Sequence, residues 1–139
     1  MEPLGVHHVS VNVTDVEGCA AFYTDVLGGR RRHDRPDFGF GGAWIDLGAQ
    51  QVHLIEAPTP PNLGQHFAVQ VADMAAVVAE LRGRGCEVTD PVGVNASLQA
   101  FTEDPAGNVI ELHQVGAPAD RTPTRRPQPI MAKKASSSS

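Results

Sequence analysis

Six histidines and sixteen acidic residues lie among the 139 residues of this chain, and four of these side chains stand at matched intervals. His66 follows His8 by 58 positions, and Glu111 follows His53 by the same 58. Three imidazoles and one carboxylate make a ligand set for a divalent ion. With neutral imidazoles that set leaves the ion a residual charge of about +1, which strengthens its pull on an oxygen. Nitrogen-rich ligation suits Fe, Co, Ni, Zn or Mn better than Mg or Ca. The spacing therefore raises a metal site as the first functional expectation.

The elements that must position these residues repeat with the same interval. The 58-residue shift lays His8-Val9-Ser10-Val11-Asn12-Val13-Thr14-Asp15 onto His66-Phe67-Ala68-Val69-Gln70-Val71-Ala72-Asp73, and it carries Asp46 to Asp104, Val52 to Ile110 and Leu54 to Leu112. Two copies of one module are expected, over residues 4–56 and 64–115. In the first copy Val9, Val11 and Val13 alternate with polar residues, the period of a strand with two unlike faces. Asp15 suits a helix N-cap, and Val16, Cys19, Ala20, Tyr23, Val26 and Leu27 follow at helical spacing until Gly28-Gly29. Strands are predicted near 30–35, 42–47 and 51–56. The second copy predicts a strand over 65–72, a helix over 74–82 with Met74, Val77, Val78 and Leu81 inward, and strands near 86–89, 98–103 and 108–114. Each unit reads βαβββ, so the fold class is α+β.

Strand parity sorts the side chains. If Val9, Val11 and Val13 face the module's own helix, then His8, Ser10 and Asn12 face away from it. By the same parity His66, Ala68 and Gln70, His53 between Val52 and Leu54, and Glu111 between Ile110 and Leu112 share the outward faces. A pseudo-two-fold relation between the copies would let His8, His53, His66 and Glu111 converge in one cleft. An isolated strand histidine is more often a surface residue, and His7 and His33 are read so. His113, two residues past Glu111, falls on the cleft side.

The stretches HHVSVNVTDVEGCAAFYTDVLGG (7–29), GAWIDLGAQQVHLIE (42–56), GQHFAVQVAD (64–73) and FTEDPAGNVIELHQ (101–114) resemble the vicinal oxygen chelate superfamily. That superfamily includes glyoxalase I, extradiol dioxygenases, and fosfomycin- and bleomycin-resistance proteins. The resemblance implies two βαβββ modules forming an eight-stranded open barrel around a divalent metal, often in a homodimer. It also implies metal positions at His8, His66 and Glu111. At the fourth position, where glyoxalase I carries Glu, this chain has His53.

Two chemistries follow from how many residues bind. With all four on an octahedral ion, two adjacent positions remain for a small substrate that chelates through neighbouring oxygens. That arrangement suits lyase, isomerase or epimerase proton transfer beside a carbonyl, with Glu111 or a metal-bound water as base. With His53 unbound, a two-His-one-carboxylate triad leaves room for dioxygen as well, and His53 becomes a free base. The first arrangement is preferred. A third reading, a drug- or natural-product-binding protein without metal, belongs to a different class. Ser10, Asn12, Trp44, Gln70 and His113 are candidate substrate contacts. Trp44 with Phe38 and Phe40 reads as an aromatic wall or as packing, and Arg30, Arg31, Arg32 and Arg35 read as a solvated cluster or an anion attractor.

Charge excludes other classes. The chain carries −5, but the segment from Ala117 is basic, so residues 1–116 carry −9. A body that acidic repels phosphate backbones, which argues against nucleic acid as a partner. No apolar run reaches membrane-spanning length, and no signal-peptide pattern opens the chain. Cys19 and Cys86 suggest no disulfide framework. A cytoplasmic protein with a domain over 1–116 and a flexible basic, Pro- and Ser-rich tail over 117–139 is expected.

Overall fold

The computed structural model describes residues 1–116, and the tail expected over 117–139 lies outside the described residues. The described residues divide into two compact units: Met1–Pro61 with Asp104–Asn108, and Asn62–Glu103 with residues 109–116. Each is a βαβββ arrangement of the α+β class, with its four strands in one sheet.

The first unit runs β1 (His8–Val13), α1 (Val16–Ala21), a π-helical stretch (Phe22–Val26), β2 (Arg30–Arg31), β3 (Gly42–Leu47) and β4 (Gln50–Glu56). Sheet order is β1-β4-β3-β2, with β1 parallel to β4 and the other pairs antiparallel. Asp15 caps α1 by accepting a hydrogen bond from the Gly18 amide at 3.1 Å. The helix widens after Ala21, where the Leu27 amide reaches back to the Phe22 carbonyl, five residues earlier. Gly28, at φ +77°, ends it, and a Cβ on Gly29 would lie 2.9 Å from the carbonyls of Tyr23 and Asp46. Val13, Cys19, Ala20, Tyr23, Ala43, Ile45, Val52 and Leu54 form this unit's core. Phe22 is buried too, and as the residue three after Cys19 it falls on the same helical face.

The second unit runs β5 (Phe67–Gln70), α2 (Met74–Gly83), β6 (Val92–Val94), β7 (Ser97–Glu103) and β8 (Val109–Gln114), in sheet order β5-β8-β7-β6. Asp73 caps α2 through the Ala76 amide at 3.1 Å. Met74, Val78 and Leu81 point inward as the spacing required, while Val77 is half-buried.

Three expectations need correction. The strand predicted over 30–35 is confined to Arg30–Arg31, and beyond it the Arg32 amide still donates to the Trp44 carbonyl at 2.8 Å before the chain leaves β3. The strand predicted near 86–89 is absent, and Val92–Val94 pairs with β7 instead. Residues 87 and 89 still bond to β7, through the Glu87 carbonyl with Thr102 Oγ1 and the Thr89 amide with the Phe101 carbonyl. Asp90-Pro91 interrupts the run.

The third correction concerns register. β1 faces β4 and β5 faces β8 with the 58-residue shift intact, since Val9 lies opposite Val52 and Phe67 opposite Ile110. The hairpins differ: Asp46 lies opposite Gln51, whereas Glu103 lies opposite Val109. Asp46 therefore corresponds to Glu103, and Asp104 has moved into a longer turn that belongs to the first unit. Asp104 is 4% exposed, and its carboxylate accepts four hydrogen bonds. The Ala106 and Asn108 amides donate to Oδ1, each at 2.9 Å. Tyr23 Oη, at 2.8 Å, and Asn108 Nδ2, at 2.9 Å, donate to Oδ2. Asn108 Nδ2 also donates to the Asn12 carbonyl at 2.9 Å. Burial and then the Asp104 charge raise the Tyr23 hydroxyl far above its usual range, so it stays a donor. The same causes, burial first, push the Cys19 thiol up to about 11 and make it unreactive.

Candidate functional site

In the first unit the parallel pairing of β1 with β4 sets Ser10 opposite His53 and His8 opposite Gln51, and β3 sets Trp44 opposite His53. Aligned partners share a face, so these side chains emerge on the side away from Val9, Val11, Val52 and Leu54. The rings form a continuous stack. His8 and His53 lie 3.8 Å apart between centroids at 14°, and Trp44 covers the other side of His53 at 4.5 Å and 12°.

Hydrogen bonds decide which nitrogens are available. His53 Nε2–H donates to Gln51 Oε1 at 2.8 Å, which leaves Nδ1 with its lone pair in the neutral ring. Partial burial, then the neighbouring His8, His7, Arg32 and Arg35, hold the His53 pKa below the ordinary imidazole value. Neutral imidazole is the form that binds metal or accepts a proton. His7, read from sequence as a surface residue, is exposed but shares a 2.9 Å contact between its Nδ1 and that of His8. His33 is exposed, as expected.

The second unit builds a different arrangement on its equivalent face. β8 carries Glu111 opposite Ala68 of β5 and opposite Phe101 of β7, and His113 opposite Gln70 and Gln99. Glu111 is 6% exposed, and each of its oxygens meets an imidazole. His66 Nε2 lies 3.0 Å from Oε1, and His113 Nδ1 lies 2.9 Å from Oε2. The other nitrogen of His66 faces the Gly64 carbonyl at 2.9 Å. That carbonyl can only accept, so Nδ1 carries a hydrogen. The edge of Phe101, 5.3 Å away, fixes the His66 ring.

The candidate residues thus fall into two sets. His8, His53, Trp44 and Ser10 share the face of the first sheet; His66, Glu111, His113 and Gln70 share that of the second. Among the described residues no group of three or more His, Cys, Asp or Glu side chains is arranged to hold a metal ion. The donor chemistry of each unit nevertheless suits a cation: a neutral imidazole with a free lone pair in one, and a buried carboxylate flanked by two imidazoles in the other. Asn12 is engaged elsewhere, its Nδ2 donating to the Pro58 carbonyl at 3.3 Å. Sequence reasoning missed Gln51. The signal was available, since Gln51 precedes His53 by two residues and so shares its face.

Three comparisons place this geometry. A lactoylglutathione lyase, GLX1 of Arabidopsis thaliana, is 30% identical over 123 residues, covering 78% of this chain and 44% of that protein. The chain thus spans less than half the length of this plant relative. The lactoylglutathione lyase of Salmonella typhimurium is 29% identical over 119 residues, covering 76% of this chain and 88% of that protein. Among solved structures, TnmS3, an antibiotic binding protein from Streptomyces sp. CB03234, superposes with a TM-score of 0.72 at 28% identity, over 83% of this chain and 98% of that one. No helix among the described residues is long and apolar enough to cross a membrane. The repeated βαβββ units, the paired registers and a family model matching residues 5–112 establish that the chain belongs to the Glyoxalase/Bleomycin resistance protein/Dioxygenase superfamily.

Proposed function

We propose that this chain is a divalent-metal-dependent enzyme of the glyoxalase type, taking a small substrate with two neighbouring oxygens and moving a proton beside a carbonyl. The observation that carries the reading is the buried Glu111 carboxylate held between His66 and His113, with His53 at the equivalent place in the other unit. His8, His53, His66 and Glu111 are the proposed ligands of an Fe, Co, Ni, Zn or Mn ion. When bound, such an ion supplies Lewis-acid polarisation of the substrate oxygens.

The remaining work falls to the chain. Glu111 takes the proton at a carboxylate oxygen, and His113 orients that carboxylate through Nδ1. Gln51 fixes the His53 tautomer so that Nδ1 faces outward unprotonated. Trp44 holds the His53 ring by stacking and walls off water on that side. Lactoylglutathione lyases among the relatives support lyase chemistry, and the assembly proposed is a homodimer.

Metal content of protein purified without chelators tests this reading. About one equivalent per subunit is expected, falling at least tenfold in His66→Ala. A metal-reconstituted screen over methylglyoxal–thiol adducts, catechols and 2-oxo acids, with oxygen uptake followed, should show turnover without oxygen consumption. Unchanged metal in His66→Ala would refute the ligand set. A second reading, a metal-free binder of a planar natural product, is favoured by the likeness to an antibiotic binding protein and by the ring stack. Protein that retains less than roughly a tenth of an equivalent of metal would support it.

A further inference from the structure

The loop between β2 and β3 holds a feature that the proton chemistry does not use. Four arginines stand between residues 30 and 35, and three of them are neutralised. Arg30 reaches Asp46 at 3.4 Å. Arg31 grips Glu17 with two bonds of 2.8 and 3.1 Å. Arg32 binds Asp34 through two bonds of 2.9 and 2.7 Å and Asp46 through one of 3.0 Å. Arg35 has no carboxylate partner among the described residues. Its guanidinium donates to the Phe40 carbonyl at 3.0 Å and sits 5.1 and 5.5 Å from the ring centroids of Phe38 and Phe40.

The two phenylalanines are themselves unusual. Asp37 accepts from the Gly39 amide at 2.8 Å, and Gly39 takes φ +84°, a turn that brings Phe38 and Phe40 onto one side. Their rings lie 5.6 Å apart at 17° while remaining 50% and 49% exposed. Phe38 lies 6.1 Å from Trp44, so the rings run on from Phe40 through Phe38, Trp44 and His53 to His8. Beside this row is an open cleft of about 370 Å³, lined by Arg31, Arg32, His33, Arg35 and Trp44 among others. That volume is within the range of small-molecule sites.

We infer that Arg35, Phe38, Phe40 and Trp44 form a recognition subsite for a planar aromatic anion, such as an aryl carboxylate. The exposed rings offer a stacking surface, and the guanidinium is the one of the cluster with no carboxylate at ion-pair distance among the described residues, placed against those rings to meet a carboxylate in its fork. The neutralised neighbours keep the cleft from attracting any anion indiscriminately. An aliphatic acid meets the charge but not the flat surface, and a neutral aromatic meets only the surface. This assigns a substrate class to the site proposed above and rests on the reading that its cleft binds a small molecule.

Trp44 is the single tryptophan, so its indole N–H gives one side-chain resonance that reports the subsite directly. The test is titration of full-length protein, stripped of metal with chelator, with 2-naphthoate, 2-naphthylmethanol and cyclohexanecarboxylate, followed by that resonance and by calorimetry. Naphthoate should shift the indole signal and bind about tenfold or more tightly than either control. Arg35→Gln should cut naphthoate affinity about tenfold while leaving the naphthylmethanol affinity unchanged, and Phe38→Ala should weaken both aromatic probes. Equal binding of cyclohexanecarboxylate, an unshifted indole signal, or full affinity in Arg35→Gln would overturn the inference. Because no metal is present, failure here leaves the metal-enzyme reading standing. Loss of metal binding in the preceding test would leave this subsite untouched.

Discussion

The polar faces of the two units are built on the same strand pairing and carry opposite chemistry. In the first, His53 is half-buried between His8 and Trp44, neutral and bonded to a glutamine. In the second, Glu111 occupies the equivalent place, is almost wholly buried and is flanked by two imidazoles. A neutral ring tolerates stacking and partial exposure without further partners. A buried carboxylate does not, because its desolvation must be offset by donors at both oxygens. One difference in a duplicated framework thus separates a stacked ring surface on one sheet from a buried, doubly bonded carboxylate on the other.

The largest expected effect tests that division at its acid end. Glu111→Gln keeps the shape but removes the base, and kcat in the metal-reconstituted assay should fall about 100- to 10,000-fold. Near-normal turnover would move the base to His53. Next comes the contrast between the two hairpins, where Asp104 is buried and four times bonded while the residue first matched to it, Asp46, is partly exposed. Asp104→Ala should cost about 3 kcal/mol or more in urea unfolding, because it strands buried donors. Asp46→Ala should cost clearly less, and equal losses would contradict the packing account.

The residues that orient each half sharpen the comparison further. Gln51→Ala and His113→Ala each remove the partner of one proposed ligand, and each should weaken metal affinity about 10- to 100-fold. A drop in only one of them would mean that a single unit binds the ion. Tyr23→Phe removes one of the four donors to Asp104 and should cost about 1–3 kcal/mol. Smallest is the response to acid. Arg31 beside Glu17, and Arg32 beside Asp34 and Asp46, hold these carboxyls below their ordinary values of 4.5 and 3.8. The unfolded chain therefore takes up protons first as pH falls. The stability these pairs contribute is complete above about 4.5 and is lost as pH drops through the lower folded values. A thermal midpoint recorded from pH 6 to 3 should show a shallower decline in Arg31→Gln, the pairs being solvent-screened.

Alternation in β1 and β4, the Asp15 cap and the inward face of α2 were legible because each depends on residues close in sequence. The strand near 86–89 was misplaced for the opposite reason, since its apolar residues said nothing about which segment would reach β7. His113 was visible as a neighbour of Glu111, but its role depends on a 2.9 Å contact that no spacing specifies.

Taken alone, the sequence determined the duplication, the face on which each candidate ligand stands and the chemistry of the donor set, because periodicity and residue type are local properties. Only tertiary structure decided that Asp104 is a buried anchor, that Gln51 holds His53, and that Arg35 is the arginine of its cluster without a carboxylate partner among the described residues. Those outcomes turn on which donors and charges from distant strands arrive within bonding distance, and hydrogen bonds and ion pairs lose their meaning beyond a few ångströms.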